Sequence, residues 1–277
     1  MCEKTTVLAF DFGASSGRAI RAEFYDEHFT YKEVHRFENK PIEKAGHLRW
    51  DFDTLWREVN QGIAKAGHLD CSGFDTWGVD FGLLDQDGNL LELPVHYRDD
   101  RTIGMVEKAQ AILSAEKLYT ATGTQILAIN TLFQLLALQQ EDPQLLENAQ
   151  TLLFMPDLFT YAISGRKVCE GTIASTAALV DPTTGTSSDS SACRKNSFCP
   201  LPPLALWWAA YPTEPAWWPW LAMIPNVPLP LCPPLSQMPL FFPAALGACW
   251  AVNRTCPSSP LKARPWGFPL NLPPTAK

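Results

Sequence analysis

Thr5 to Arg18, T-T-V-L-A-F-D-F-G-A-S-S-G-R, is the stretch whose reading decides the fold. An apolar run of strand type, Val7–Phe12, carries one acid, Asp11, and enters a turn of Gly13, Ala14, Ser15, Ser16 and Gly17. Glycines let backbone come close to a ligand, and small hydroxyls with bare N–H groups can wrap an anion. Arg18 adds a fixed positive charge. Asp11 is placed to hold a Mg²⁺ through water beside phosphates. The turn is not a Walker A, since no Gly-Lys-Ser/Thr follows, and it is not a G-x-G-x-x-G fingerprint. A plain hairpin turn is the other reading, because Ala19–Tyr25 also has strand character.

Working outward, Val7–Phe12, Arg18–Tyr25 and Tyr31–Glu38 are three strand candidates with short polar turns between them, the spacing of an antiparallel meander. A helix is expected from about Asp53, where Leu55, Val59 and Ile63 recur every four residues. Asp51 or Asp53 can cap its start, and Gly67 ends it. Gly73 to Asp85, G-F-D-T-W-G-V-D-F-G-L-L-D, reads as a further apolar strand, followed by a turn at Asp87-Gly88 and a second strand, Leu90–Val95. Two acids inside one apolar strand, Asp75 and Asp80, are costly unless paired or used. The alternatives for them are a strand-end cap or an exposed edge.

Pro94 to Thr102, P-V-H-Y-R-D-D-R-T, is a loop dense in hydrogen-bonding groups, and a solvated surface loop is the preferred reading for Asp99, Asp100 and Arg101. Helical patterns then cover Ile103–Leu113, Ala115–Thr120, Leu132–Gln139 and Pro143–Ala149, with Pro143 at a first helical position after Asp142. Leu152–Met155 is a short buried strand type, and Asp157–Ile163 a helix closed by Gly165. The five histidines show no ligand spacing, and ordinary surface or core roles are expected of them.

Composition divides the chain near Thr186. Residues 1–186 carry 16 basic and 27 acidic side chains, and residues 187–277 carry six and two, so net charge passes from -11 to +4. The acidic first part argues against nucleic acid as a partner. Cys2, Cys71 and Cys169 are scattered, the other five cysteines lie in the tail, and no C-x-x-C spacing occurs. A disulfide framework or zinc site is not expected. Without an apolar signal region after M-C-E-K-T-T, or a proline-free apolar run of about 18 residues, no membrane partner is expected and the default location is the cytoplasm.

Strand–strand–strand–helix–strand is the opening order of the ribonuclease H-like lobe of actin-type ATPases, an α/β fold. With D-F-G-A-S-S-G-R and D-T-W-G-V-D-F-G-L-L-D both in view, residues 5–185 resemble the first lobe of the FGGY sugar-kinase family, in its rhamnulokinase branch. Supporting stretches are W-D-F-D at Trp50–Asp53, P-V-H-Y-R-D-D-R-T at Pro94–Thr102, N-T-L-F-Q-L at Asn130–Leu135, L-F-M-P-D-L-F at Leu153–Phe159 and T-I-A-S-T at Thr172–Thr176. The resemblance implies ATP with Mg²⁺ as cofactors and phosphoryl transfer to the 1-hydroxyl of L-rhamnulose. It places Gly13, Ala14, Ser15, Ser16, Gly17 and Arg18 at the ATP phosphates and Asp11 near the metal. Trp77, Gly78 and Asp80 would form part of the sugar pocket, with Arg98 and Asn130 lining the same cleft. A family G-H-D-T segment, whose aspartate takes the hydroxyl proton, is missing from this chain as written.

Residues 187–277 fit no physical class. About one residue in five is proline, which interrupts helices and central strands. Seven tryptophans, among them Trp207-Trp208 and Trp217-Trp218, make the stretch too apolar for a solvated linker. The genetic code offers a test, because Trp and Met each have a single codon. Taking the third base of each codon with the first two of the next, Ala216 to Pro225 is compatible with V-V-A-V-A-G-H-D-T, and Phe241 to Ala251 allows L-S-S-G-T-W-S-L-L-G. The first supplies the family's base segment and the second its ATP-lobe S-S-G-T-W. The expected organisation is therefore an N-terminal sugar-kinase lobe over 1–186 and an out-of-frame tail over 187–277, with no domain in the tail and no activity in this chain. Two other readings stay open: a non-catalytic remnant, and an FGGY kinase for L-fuculose or xylulose. An actin- or chaperone-like ATPase is a third, and the W-G-V-D segment argues against it.

Overall fold

The computed structural model describes residues 4–26 and 28–180, and the backbone of 251–253. Alternating burial along β1 (Thr5–Phe12) sends Thr6, Leu8, Phe10 and Phe12 to the inside. The strand pairs antiparallel with β2 (Ser16–Tyr25), and β2 pairs antiparallel with β3 (His28–Glu38). This is the expected meander. A short hairpin, β4 (Pro41–Lys44) and β5 (His47–Trp50), precedes helix α1 (Phe52–Ala66); the sequence reading missed it because its four-residue strands are too short to display alternation. Asp51 caps α1, its Oδ1 accepting from Thr54 N at 3.1 Å, and Gly67 follows the last turn.

The helix returns the chain to β6 (Cys71–Asp75), which lies parallel to β1 with Asp75 in register with Asp11. The main sheet runs β3-β2-β1-β6-β9, where β9 is Ala251–Asn253, antiparallel to β6. The opening order of a ribonuclease H-like lobe is thus present. Apart from β9, the expectations for 187–277 lie outside the described residues.

Three expectations need correction. Gly73–Asp85 is not one strand: β6 ends at Asp75, Thr76–Asp80 forms a turn, and β7 (Phe81–Leu84) leaves the main sheet to pair with β8 (Thr151–Phe154). The break has a physical reason, since Val79 sits at φ 66°, which no strand can contain. Leu90–Val95 makes only single bridges, Leu84 with Leu90 and Arg49 with Val95. Ile103–Leu113 contains a shorter helix, α2 (Met105–Gln110), because Gly104 at φ 79° delays its start.

The remaining helices are α3 (Ala115–Thr122), α4 (Thr131–Glu141), α5 (Pro143–Asn148), α6 (Met155–Ser164) and α7 (Gly171–Ala174). Between the sheet and α6 lies an aromatic core, with Phe12 stacked on Phe159 at 4.5 Å and Phe10 on Phe74 at 5.1 Å. A second core gathers Leu118, Phe133, Leu136 and Phe154 around α4. The two cores fix β1, β6 and α4 around the turns described next.

Candidate functional site

The first turn joins β1 to β2. Gly13, Ala14 and Ser15 are exposed, and Gly13 N donates to Ser16 O at 2.9 Å, so the turn is a hairpin turn with its tip open to solvent. Asn39, just past β3, closes it from behind: its N–H donates to Ser15 O at 3.0 Å and its Nδ2 to Gly13 O at 2.8 Å. Gly17 is buried within β2, where a Cβ would run into the ring of Phe37. Its glycine therefore serves packing behind the turn. Arg18 points back along the strand pair, with Nε and Nη2 each 2.7 Å from Asp11 Oδ2.

Asp75 stands beside Asp11 on the neighbouring strand. Its Oδ1 is buried with no hydrogen-bond partner. Burial first, and then the charge of Asp11, push its carboxyl up to about 6. Two acids in register, one with an unpaired buried oxygen, suit a hard cation. Mg²⁺ takes oxygen ligands, keeps several waters and uses one or two carboxylates together with phosphates. Among the described residues no group of three or more His, Cys, Asp or Glu gathers, so any cation here would be completed by water and nucleotide. The residue set fits a Mg²⁺-nucleotide.

The second turn, Thr76–Asp80, holds the sugar-side candidates. Val79, a β-branched residue in the left-handed region, is costly unless its surroundings fix it. They do. Val79 N donates to Thr176 Oγ1 at 3.1 Å, and Val79 O accepts from Thr131 Oγ1 at 2.6 Å and Gln134 Nε2 at 3.3 Å. Gly78 lies under Thr176, whose Oγ1 would be 2.9 Å from an added Cβ. Asn130, just ahead of α4, donates from Nδ2 to Thr176 O at 3.1 Å and accepts from Leu127 N at 2.7 Å.

Asp80 is buried, with both oxygens engaged. Oδ2 accepts from Trp50 Nε1 at 2.6 Å, Trp77 Nε1 at 3.0 Å and Tyr97 N at 3.2 Å, and Oδ1 accepts from Gln134 Nε2 at 3.0 Å. Burial raises its carboxyl to about 7 against these four donors. Trp50 stacks on Trp77 at 3.9 Å and on His96 at 4.1 Å; Tyr97 stacks on His96 at 4.5 Å, and the exposed Arg98 lies 5.3 Å over the Tyr97 ring. Burial, then Arg98, lower His96 to about 4, in keeping with its neutral ring accepting from Arg98 N at Nδ1.

Trp77, Gly78, Asp80, Arg98 and Asn130 thus belong to one connected network, and Asp11 through Arg18 to another at the head of β1 and β2. The reading of Asp99 and Arg101 as solvated is corrected, while Asp100 is exposed as expected. Asp99 accepts from Leu48 N at 2.7 Å and Arg101 N at 3.1 Å, and Arg101 donates from Nη2 to Gln134 Oε1 at 2.8 Å. Sequence reasoning gave no role to Asn39, Trp50, Thr131, Gln134 or Thr176. Four of these stood in stretches already singled out, W-D-F-D, N-T-L-F-Q-L and T-I-A-S-T, so the signal was their company.

Residues 6–192 match the model of the N-terminal domain of the FGGY family of carbohydrate kinases. The chain is 43% identical over 182 residues to rhamnulokinase from Bacteroides thetaiotaomicron, covering 64% of this chain and 38% of that protein. It is 41% identical over 181 residues to rhamnulokinase from Pectobacterium atrosepticum, covering 63% and 36%. The chain therefore spans well under half the length of these curated relatives. Among solved structures it superimposes on xylulose kinase from Bifidobacterium adolescentis with a TM-score of 0.58 at 14% identity, over 80% of this chain and 46% of that one. Ligand-bound xylulose kinase from Lactobacillus acidophilus gives 0.57 at 18% identity, over 66% and 38%. The chain belongs to the FGGY family of carbohydrate kinases and carries its actin-like N-terminal domain.

Proposed function

We propose that the gene encodes an ATP-dependent kinase of the rhamnulokinase type, phosphorylating L-rhamnulose at O1 in the cytoplasm. The observation that carries this reading is the 43% identity to a rhamnulokinase along a stretch where the family match includes both turns. In this reading Gly13, Ala14, Ser15, Ser16 and Arg18 would face the ATP phosphates, Gly17 would back them by its packing against Phe37, and Asp11 would hold Mg²⁺ through water. Bound Mg²⁺-ATP supplies the phosphoryl group and screens its charge. The chain's own task is positioning. Asn39 keeps the turn open toward the nucleotide, and Arg18 restrains the Asp11 carboxylate. Trp77, Gly78, Asp80, Arg98 and Asn130 would form the sugar side, where the lack of a side chain at Gly78 makes room for Thr176 to hold the turn.

The same reading assigns residues 1–186 to the kinase lobe and 187–277 to translation in a shifted frame. The chain as written then has no useful kinase activity, because Met223 and Ile224 stand where the shifted frame encodes the aspartate of G-H-D-T. Neither side chain can accept a proton, and loss of a general base alone costs on the order of 10²- to 10⁴-fold. Sequencing the codons for 181–189, followed by a coupled assay of the frame-repaired protein on a ketose panel, tests both halves. L-rhamnulose as the preferred substrate is expected. Preference for L-fuculose or xylulose would overturn the substrate, and L-rhamnulose-dependent ATP turnover by the 277-residue chain itself would overturn its inactivity.

A further inference from the structure

Asp80 is the most enclosed of the sugar-side residues, at 0% exposure. A carboxylate offers about four lone-pair sites, two on each oxygen; three N–H donors crowd Oδ2, and one, from Gln134, takes Oδ1. A sugar hydroxyl aimed at Oδ2 would have to displace one of its three donors and leave it unpaired in a buried place, and Oδ1 is shut off because the residue has no exposed surface. Two of the donors are indoles that share the single oxygen Oδ2, an arrangement that fixes both rings at once. Trp50 is fully buried, whereas Trp77 is half-buried and adjoins Gly78, so only Trp77 among the two can meet a ligand.

We infer that Asp80 is a positioning residue acting through Trp77: its Oδ2 sets the indole of Trp77 as an aromatic wall beside Gly78, and the C–H face of a ketose rests on that wall. Aromatic faces carry negative charge density and prefer polarised C–H groups to hydroxyls. Trp50 is the relay, hydrogen-bonded to the same oxygen and stacked on Trp77 at 3.9 Å. The inference rests on the ketose reading of this site and moves the contact from the carboxylate to the ring.

The test uses the 277-residue chain carrying ¹⁵N-labelled tryptophan indoles, with Trp50→Phe and Trp77→Phe to assign the two resonances. Asp80→Asn is expected to move both indole N–H signals together. Trp50→Phe, which leaves Asp80 in place, is expected to slow solvent exchange of the Trp77 indole N–H by removing a competitor for Oδ2; this exchange rate, unlike a shift that the lost stacking would also cause, reads the anchoring even if Asp80→Asn does not fold. Titration with L-rhamnulose should move the Trp77 signal and leave Trp56 unmoved. Asp80→Asn and Trp77→Leu should each weaken that binding by about tenfold, and the double variant should be no weaker than Trp77→Leu alone. Losses that multiply to roughly a hundredfold would mean that Asp80 touches the sugar directly, and would overturn the inference. So would a Trp77 indole N–H whose shift ignores Asp80→Asn and whose exchange ignores Trp50→Phe. No L-rhamnulose binding by the unmodified chain or by the frame-repaired protein would overturn the ketose reading and the wall with it, while the indole shifts still decide whether Asp80 sets the ring.

Discussion

The hairpin turn after β1 and the crossing turn after β6 each set an aspartate beside glycine and a hydroxyl side chain, and use them in opposite ways. Asp11 is 37% exposed, ion-paired with an arginine that is itself exposed, and in register with a second acid whose oxygen lacks a partner. Asp80 is enclosed, and every donor around it is a neutral N–H. A carboxylate left near water keeps its charge at little cost. One that builds a wall is consumed by the fold. The strain follows the same division, since Val79 at φ 66° lies in the second turn and the first turn has no positive φ among its residues.

The largest expected effect breaks this comparison most directly. Asp80→Ala leaves buried donors on Trp50, Trp77, Tyr97 and Gln134 unpaired and should lower the stability of the chain by about 3–5 kcal/mol in urea unfolding. A loss below about 1 kcal/mol would mean that water reaches these donors and that the two aspartates are alike.

Gly17→Ala comes next, at about 1–3 kcal/mol, because the new methyl must displace the buried ring of Phe37. The same measurement on Ala14→Gly, at the exposed tip, should show a change within about 0.5 kcal/mol. Equal effects would remove the distinction between the packed and the open side of the first turn.

The pH dependence sharpens the second turn. His96 has its folded value lowered to about 4, so its neutral form contributes stability that is present above about 6.5 and is lost as pH falls toward 4. His96→Gln should flatten that part of the stability profile by about 1–2 kcal/mol. An unchanged slope between pH 7 and 4.5 would show that the aromatic stack does not hold the imidazole away from water.

A small effect is also expected at Asp11. Its pair with Arg18 is exposed, and Asp11→Ala should change unfolding by no more than about 1 kcal/mol. A loss comparable with that of Asp80→Ala would make Asp11 a structural acid and weaken its reading as a ligand-facing group.

Much of the lobe was legible in the chain because its signals are local. The meander, α1 with its Asp51 cap, α4, Pro143 at the start of α5, and Gly165 after α6 all follow from periodicity and end chemistry within a few residues. The errors share one cause. Gly73–Asp85 has the composition of a strand throughout, but Val79 is turned by partners on Thr131, Gln134 and Thr176, which lie 52 to 97 residues away in sequence. Asp99 and Arg101 look solvated next to Asp100, but the backbone of Leu48 and the side chain of Gln134 receive them.

The sequence by itself determined the lobe's opening order, the acid and glycines of the first turn, the family, and the change of composition near Thr186, because each depends on residue types in a short window or in aligned order. Only the tertiary structure decided what each acid is surrounded by. Asp11, Asp75 and Asp80 are the same residue type on similar apolar runs, and they differ because β1 and β6 bring two of them side by side while two indoles, a backbone N–H and Gln134 close over the third. Burial and hydrogen-bond partners come from distant parts of the chain, and they set whether a carboxylate is left for a ligand or spent in the fold.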